Sequence, residues 1–207
     1  MNGDQIFNSI NNIKIIINNH KEEIEKLDQE IGDGDHIFNI LRGLDELQNL
    51  KNELLDKTVD HIFKQLGMKI MTTVGGSSGA LFATLLIGMS KKYNPELNDL
   101  NNLSQMFSEG VESMKKRGKA DVGEKTMLDV LIPVSNSLIE QKNEKNLEKV
   151  ADKLNNVAKD GMMSTKDIIA TKGRASFLGE RAKGHIDPGA RSSQLAIEAI
   201  CNQFINK

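Results

Sequence analysis

The sequence predicts an all-α fold, a bundle of about eight helices around a common interior. Three observations lead there. Apolar residues recur at helical spacing along most of the 207 residues. No stretch shows the strict alternation of a half-buried strand. Eleven of the 17 glycines fall in four polar segments that separate the apolar stretches.

In chain order, the helical pattern covers residues 6–17, 24–27, 37–50, 59–71, 81–89, 103–114, 127–139, 147–162 and 194–205. The clearest face is Leu147, Val150, Ala151, Leu154, Val157, Ala158, Gly161 and Met162, three and four residues apart as one side of a long helix requires. Residues 81–89 and 195–205 are apolar nearly all round, which predicts helices enclosed by others. Pro133 lies inside such a pattern and predicts a kink. Asp187 followed by Pro188 predicts the start of the last helix, with aspartate as N-cap and proline at the first helical position. No repeat or low-complexity linker divides the chain, so residues 1–207 are expected to form one domain.

The glycine segments are Gly32 and Gly34; Gly75, Gly76 and Gly79; Gly118 and Gly123; and Gly173, Gly179, Gly184 and Gly189. Because they alternate with helices, an antiparallel bundle gathers them at one end.

Composition excludes several classes. Net charge is −2, aromatics are 4% and there is no Trp, so neither a basic face nor a stacking platform for nucleic acid is expected. The first residues, MNGDQIFN, lack the features of a signal peptide, and the longest strongly apolar stretch, 79–89, is well short of a membrane span. A soluble, cytoplasmic protein is expected. Cys201 stands alone in an apolar stretch and reads as a small core residue.

The first glycine segment, DQEIGDGDH, places Asp28, Asp33, Asp35 and His36 around two glycines. Two carboxylates about 4 Å apart repel by about 1 kcal/mol in bulk water and by about 4 at an effective dielectric of 20. A cation among them relieves that repulsion. Hard oxygen ligands on a bendable loop suit Mg²⁺ or Ca²⁺ rather than zinc or copper. A calcium loop of the EF-hand type starting at Asp33 fails, because Phe38 stands where glycine is needed and Leu44 where a bidentate glutamate is needed. Magnesium holding a phosphate is the leading idea, with a plain Asp-Gly turn as the alternative.

The second segment, VGGSSGALF, sets Ser77 and Ser78 between glycines at the start of an apolar helix, where free amides attract an anion; serine capping is the structural alternative. The third, RGKADVGEKTM, nearly spells a P-loop, but Glu124 separates Gly123 from Lys125 and the preceding residues read as helix rather than strand. A P-loop is therefore excluded, while the Gly118 backbone and the Met127 thioether remain candidates for contact with a base, or in the case of Met127 for core filling. The fourth, KGRASFLGERAKGHIDPGARSS, carries Arg174, Arg181, Lys183, His185 and Arg191. A guanidinium suits bidentate phosphate contact and the charge that grows during phosphoryl transfer, and Arg174 is the choice for that role. Arg181 and Arg191 are read as tied to carboxylates, and His20, His61 and His185 as surface or packing residues.

LDQEIGDGDH with Asn39 and Arg42-Gly43 after it, VGGSSGALFAT, RGKADVGEKTMLDV with Pro133, and KGRASFLGERAKGHIDPGA, in this order over residues 27–190, resemble the L subunits of bacterial dihydroxyacetone kinases, the nucleotide-binding component. The resemblance implies an antiparallel eight-helix barrel binding ADP and two Mg²⁺ ions in loops at one end. By position, Asp28, Asp33 and Asp35 match the metal ligands. His36, Asn39, Ser77, Ser78, Gly118, Met127, Arg174, Asp187 and Gly189 match the nucleotide contacts. One departure is Ile37, where the family usually has glycine.

In family members that run on phosphoenolpyruvate, bound ADP is charged by an M subunit with phosphohistidine domains, and the γ-phosphoryl passes to dihydroxyacetone on the K subunit. Two other readings stand beside this one. One is a kinase subunit that exchanges free ATP and acts on dihydroxyacetone or another short ketose; the other is a nucleotide-sensing module that contacts a transcription regulator without catalysis.

Overall fold

The computed structural model describes residues 1–205, and among them only helices and connecting loops occur. The helices are α1 (Gly3–Asn19), α2 (Lys21–Ile31), α3 (His36–Asn49), α4 (Lys51–Leu54), α5 (Val59–Thr73), α6 (Gly76–Ser90), α7 (Asp99–Gly118), α8 (Leu128–Glu140), α9 (Leu147–Ser164) and α10 (Pro188–Ile205). A 3₁₀ segment, Arg174–Ala182, lies in the long connection before α10.

Local chemistry sets the ends of these helices. Asn2 and Gln5 form a reciprocal capping box at α1, and Asn98 and Asn146 accept the Asn101 and Lys149 amides at the starts of α7 and α9. At α10, Asp187 Oδ2 accepts the Ala190 N–H at 2.7 Å, the cap expected ahead of Pro188. Pro133 is accommodated within α8.

The packing partners close a ring. α1 packs on α3, α3 on α5, and then α5, α6, α7, α8, α9 and α10 each pack on the next, with α10 returning to α1. Eight helices make this ring, while α2 lies against α3 and α10 and α4 is a single turn. The main core fills the ring, with Phe7, Ile62, Leu66, Met106, Met114, Val130 and Leu138 among its buried side chains. α6 runs between α5 and α7 and none of its residues from 79 to 89 is exposed, although several are only half-buried. α10 is enclosed at its start but opens along its length, with Phe204 39% exposed. Cys201 is buried, and burial pushes its thiol up to about 12.

Two smaller clusters shape one end of the ring. Ile17, Ile24, Ile37 and Leu195 knit α1, α2, α3 and α10 together. Ile31, Ala170, Ala175 and Ala182 seat the 3₁₀ segment on the end of α2. Fully burying one isoleucine contributes about 1.5–3 kcal/mol, so Ile31 with three alanines is enough to dock a loop without adding another helix. Among the described residues, no helix is long and apolar enough to cross a membrane.

Candidate phosphoryl-transfer site

Four connections meet at this end: residues 32–35 after α2, 74–75 after α5, 119–127 after α7 and 165–187 after α9. Side-chain bonds link them. Arg174 Nη2 is 2.7 Å from Asp33 Oδ2, His185 Nδ1 is 2.7 Å from Glu30 Oε2, and Thr171 Oγ1 donates to Glu124 Oε1 at 2.7 Å. The loop after α5 reaches the group through Arg42, whose Nη2 donates to Asn39 Oδ1 at 2.8 Å and lies close to Gly75, and through Val74, which packs on Gly43.

The aspartate trio converges. Asp28, Asp33 and Asp35 each offer a carboxylate oxygen, and these oxygens lie within 4.8 Å of one another. Asp28 is buried on the last turn of α2, and its Oδ2 accepts the His36 N–H at 3.0 Å. That bond orients the carboxylate. Two glycines make the turn possible: Gly34 takes φ +76, and a β-carbon on Gly32 would stand 1.9 Å from Asp28 Oδ1. Asp33 and Asp35 are exposed, and Asp35 accepts Asn39 Nδ2 at 2.8 Å. One buried and two exposed carboxylates on a glycine turn, with their oxygens converging and space kept at Gly32, fit a hard divalent cation.

The other expected residues are placed as follows. His36 is buried at the first position of α3, its Nε2 3.0 Å from Ser192 Oγ. Burial holds its imidazole below the usual value, against the pull of the Asp28 carboxylate. Ile37 turns the other way and is fully buried among Ile17, Ile24 and Leu195, so the branched side chain is taken up by the core. Ser77 is exposed and Ser78 half-buried in the first turn of α6, where the backbone amides have no intrahelical partner. Gly118 ends α7 against Leu81, and the helix stops at Lys119, which takes φ 48. As expected from the rejected P-loop, helix rather than strand precedes this segment.

Met127 is buried with its methyl beside Gly189, where an added β-carbon would stand 3.3 Å from Cε. Asp187 is half-buried, and burial pushes its carboxyl up to about 7. Arg174 is largely exposed, with Asp33 as its partner. Arg191 pairs with Glu23 at 2.7 Å, as its reading required, and Lys183 rather than Arg181 pairs with Glu180 at 2.9 Å.

Several supporting residues were not singled out in the sequence. Ser192 holds His36 and donates to the Gly189 carbonyl at 3.1 Å. Asp129 is buried and accepts the Gly123 N–H at 2.6 Å and the Thr126 N–H at 2.7 Å, fixing the loop that leads to Met127. Thr126 preceding Asp129 by three residues at the mouth of a helix was the available sign. Lys125, Thr165 and Glu30 join loops far apart in the chain, and no local pattern marks them.

Comparison with known proteins agrees with this arrangement. The DAK2 domain model matches residues 30–202. A PEP-dependent dihydroxyacetone kinase ADP-binding subunit from Listeria innocua is 42% identical over 184 residues, 89% of this chain and 88% of that protein. The corresponding subunit from Escherichia coli is 38% identical over 199 residues, 95% of this chain and 94% of that protein. The crystal structure of the dihydroxyacetone kinase from C. freundii in complex with AMP-PNP and Mg²⁺ superposes with a TM-score of 0.73 at 25% identity, covering 95% of this chain and 33% of that longer chain. With its fold, its motifs and a likeness to such subunits over 89–95% of its length, the chain belongs to the DAK2 domain family and, within it, to the L subunits of dihydroxyacetone kinases.

Proposed function

We propose that this chain is a single L-type nucleotide-binding domain, acting in the cytoplasm as the ADP-binding subunit of a phosphoenolpyruvate-dependent dihydroxyacetone kinase. In this reading the bound nucleotide takes a phosphoryl group from a phosphohistidine donor, the M subunit, and yields it to dihydroxyacetone on a K subunit. The observation that carries it is the convergence of the Asp28, Asp33 and Asp35 carboxylates beside Arg174, at a mouth where the first turns of α3, α6 and α10 also meet. Two Mg²⁺ ions held by the three aspartates would supply charge neutralisation for the diphosphate.

The residues divide the remaining work. Phosphoryl transfer depends on positioning and electrostatic stabilisation more than on a covalent protein intermediate. Ser77 and Ser78, with the free amides of α6, bind phosphate oxygens. His36 and Asn39 are held by Ser192 and by Asp35 and Arg42, and so present fixed hydrogen-bonding groups at the same end. Met127 and the Gly118 backbone flank the base, and Asp187 and Gly189 approach the nucleotide from the start of α10. Arg174 carries a permanent charge on a docked but exposed segment, and its role is to meet the charge that grows on the transferred group.

The test combines retention and transfer. The purified chain, desalted in the presence of Mg²⁺, is expected to keep one ADP per protein and to support transfer to dihydroxyacetone when a K subunit and a charged phosphohistidine donor are supplied. Asp33→Ala is expected to abolish transfer while leaving the helical circular dichroism unchanged. Rapid exchange of the nucleotide with labelled ATP points instead to an ATP-exchanging kinase, and transfer that survives in Asp33→Ala overturns the metal assignment.

A further inference from the structure

Lys125 is 1% exposed and its backbone sits at φ 60, in the left-handed region. Both features are unfavourable for a lysine. A non-glycine residue there is uncommon and strained, and burying an ammonium sacrifices its hydration. A methionine of similar length avoids the second cost, so the core alone gives no reason for a cation at this position. What the ammonium does is reach two carbonyls. Nζ donates to Thr165 O and, at 2.6 Å, to His185 O, which lie at the two ends of the long connection between α9 and α10. Thr165 is itself fully buried, and its hydroxyl accepts the Asp187 N–H at 3.0 Å while donating to Met162 O at 2.7 Å. An ammonium on a flexible stem has three donors and can hold several acceptors that no apolar side chain could join.

We propose that Lys125 is a positioning residue of the nucleotide site, its buried ammonium clamping the loop that carries Met127 to the connection that carries Asp187 and Gly189. The proposal rests on the reading of this mouth as an ADP site. The clamp acts at the seam where Met127 Cε approaches Gly189, and it spans two of the four connections. A second strap, Thr171 to Glu124, ties the same two connections nearer to solvent. Burial lowers the basicity of the ammonium, and the nearby carboxyl groups of Asp187, Asp167 and Asp129 oppose that shift.

The experiment uses the full chain with Mg²⁺ and ADP. Calorimetric titration gives the affinity, and spectra of protein labelled at the methionine methyls follow Met127, whose resonance an adenine ring displaces when it stacks on the thioether. Lys125→Met is expected to bind ADP about tenfold or more weakly, since a misplacement of about 1 Å can cost that much or more. It should also show at most about half the wild-type Met127 displacement when saturated with ADP. Lys125→Gln, whose shorter amide cannot hold both carbonyls as the ammonium does, should do the same to a smaller extent, about threefold in affinity, and it carries the test if Lys125→Met does not fold. Unchanged ADP affinity in a folded variant overturns the clamp. So does weakened binding with an unaltered Met127 displacement, which would mean that Lys125 serves only general stability. A wild-type protein that binds no ADP sinks the nucleotide reading itself, a result visible before either variant is made.

Discussion

Arg174 Nη2 and Asp33 Oδ2 stand 2.7 Å apart, so the guanidinium of the 3₁₀ segment rests on one of the three carboxylates that converge after α2. The side chain is 70% exposed. A pair as open as this contributes about 0–1 kcal/mol to stability, screened by salt. Its value lies in where it parks a permanent positive charge.

Arg174→Met is therefore expected to lower the rate of phosphoryl transfer to dihydroxyacetone about a thousandfold, the scale on which an arginine stabilises such a transition state. The thermal unfolding midpoint should hardly move. A coupled assay with K and M subunits supplied, alongside circular dichroism melting, measures both. Full activity in the variant would remove Arg174 from the catalytic role.

Gly32→Ala places a methyl where Asp28 Oδ1 now lies, 1.9 Å from an ideal β-carbon. The carboxylate must swing off the His36 amide, and it no longer converges with Asp33 and Asp35. Loss of this kind of support for a ligand typically weakens metal affinity about 10- to 100-fold. Titration with Mn²⁺ in the presence of ADP, followed by electron paramagnetic resonance, should show the drop; equal affinity would mean that Asp28 is not a ligand.

Ile37→Ala probes the departure from the family's usual glycine. The side chain is wholly buried with Ile17, Ile24 and Leu195, so its truncation should destabilise the fold by about 2–5 kcal/mol in urea unfolding. ADP affinity measured well below the melting range should change little, because the isoleucine points into the core and His36 keeps its bonds to Asp28 and Ser192. A destabilisation below about 1 kcal/mol would contradict the packing.

The Asp187 carboxyl, raised by burial from 3.8 to about 7, makes stability depend on pH. Between those values the folded state keeps a proton that the unfolded state has released, so stability falls as pH rises through that window and levels off above it. Asp187→Asn keeps an acceptor for the Ala190 N–H and cannot ionise. Without nucleotide or metal, the difference in melting temperature, wild type minus variant, should fall steadily from about pH 4 to about pH 7. A flat difference would show that the carboxyl titrates normally.

The parts of this molecule that were legible in the sequence are those written locally. Helix faces such as Leu147 to Met162 and the Asp187-Pro188 start announce themselves through spacing, and Asp28, Asp33 and Asp35 lie near enough in the chain that their mutual repulsion can be read without a fold. The supports were not legible. Lys125 with Thr165 and His185, His36 with Ser192, and Glu30 with His185 form only when connections from different parts of the chain meet. The left-handed backbone of Lys125 carries no sign in its side chain. α6 looked enclosed because apolarity reports hydrophobicity and not neighbours, and several of its residues are only half-buried between α5 and α7.

Because α10 returns to α1, the circle of helices has a suture, and His36 touches Ser192 across it. A ribosome makes α10 after the other helices of this ring, so a nascent chain holds the aspartates long before it holds their opposite wall. Competence to capture nucleotide should arise abruptly, when that helix docks and closes the ring.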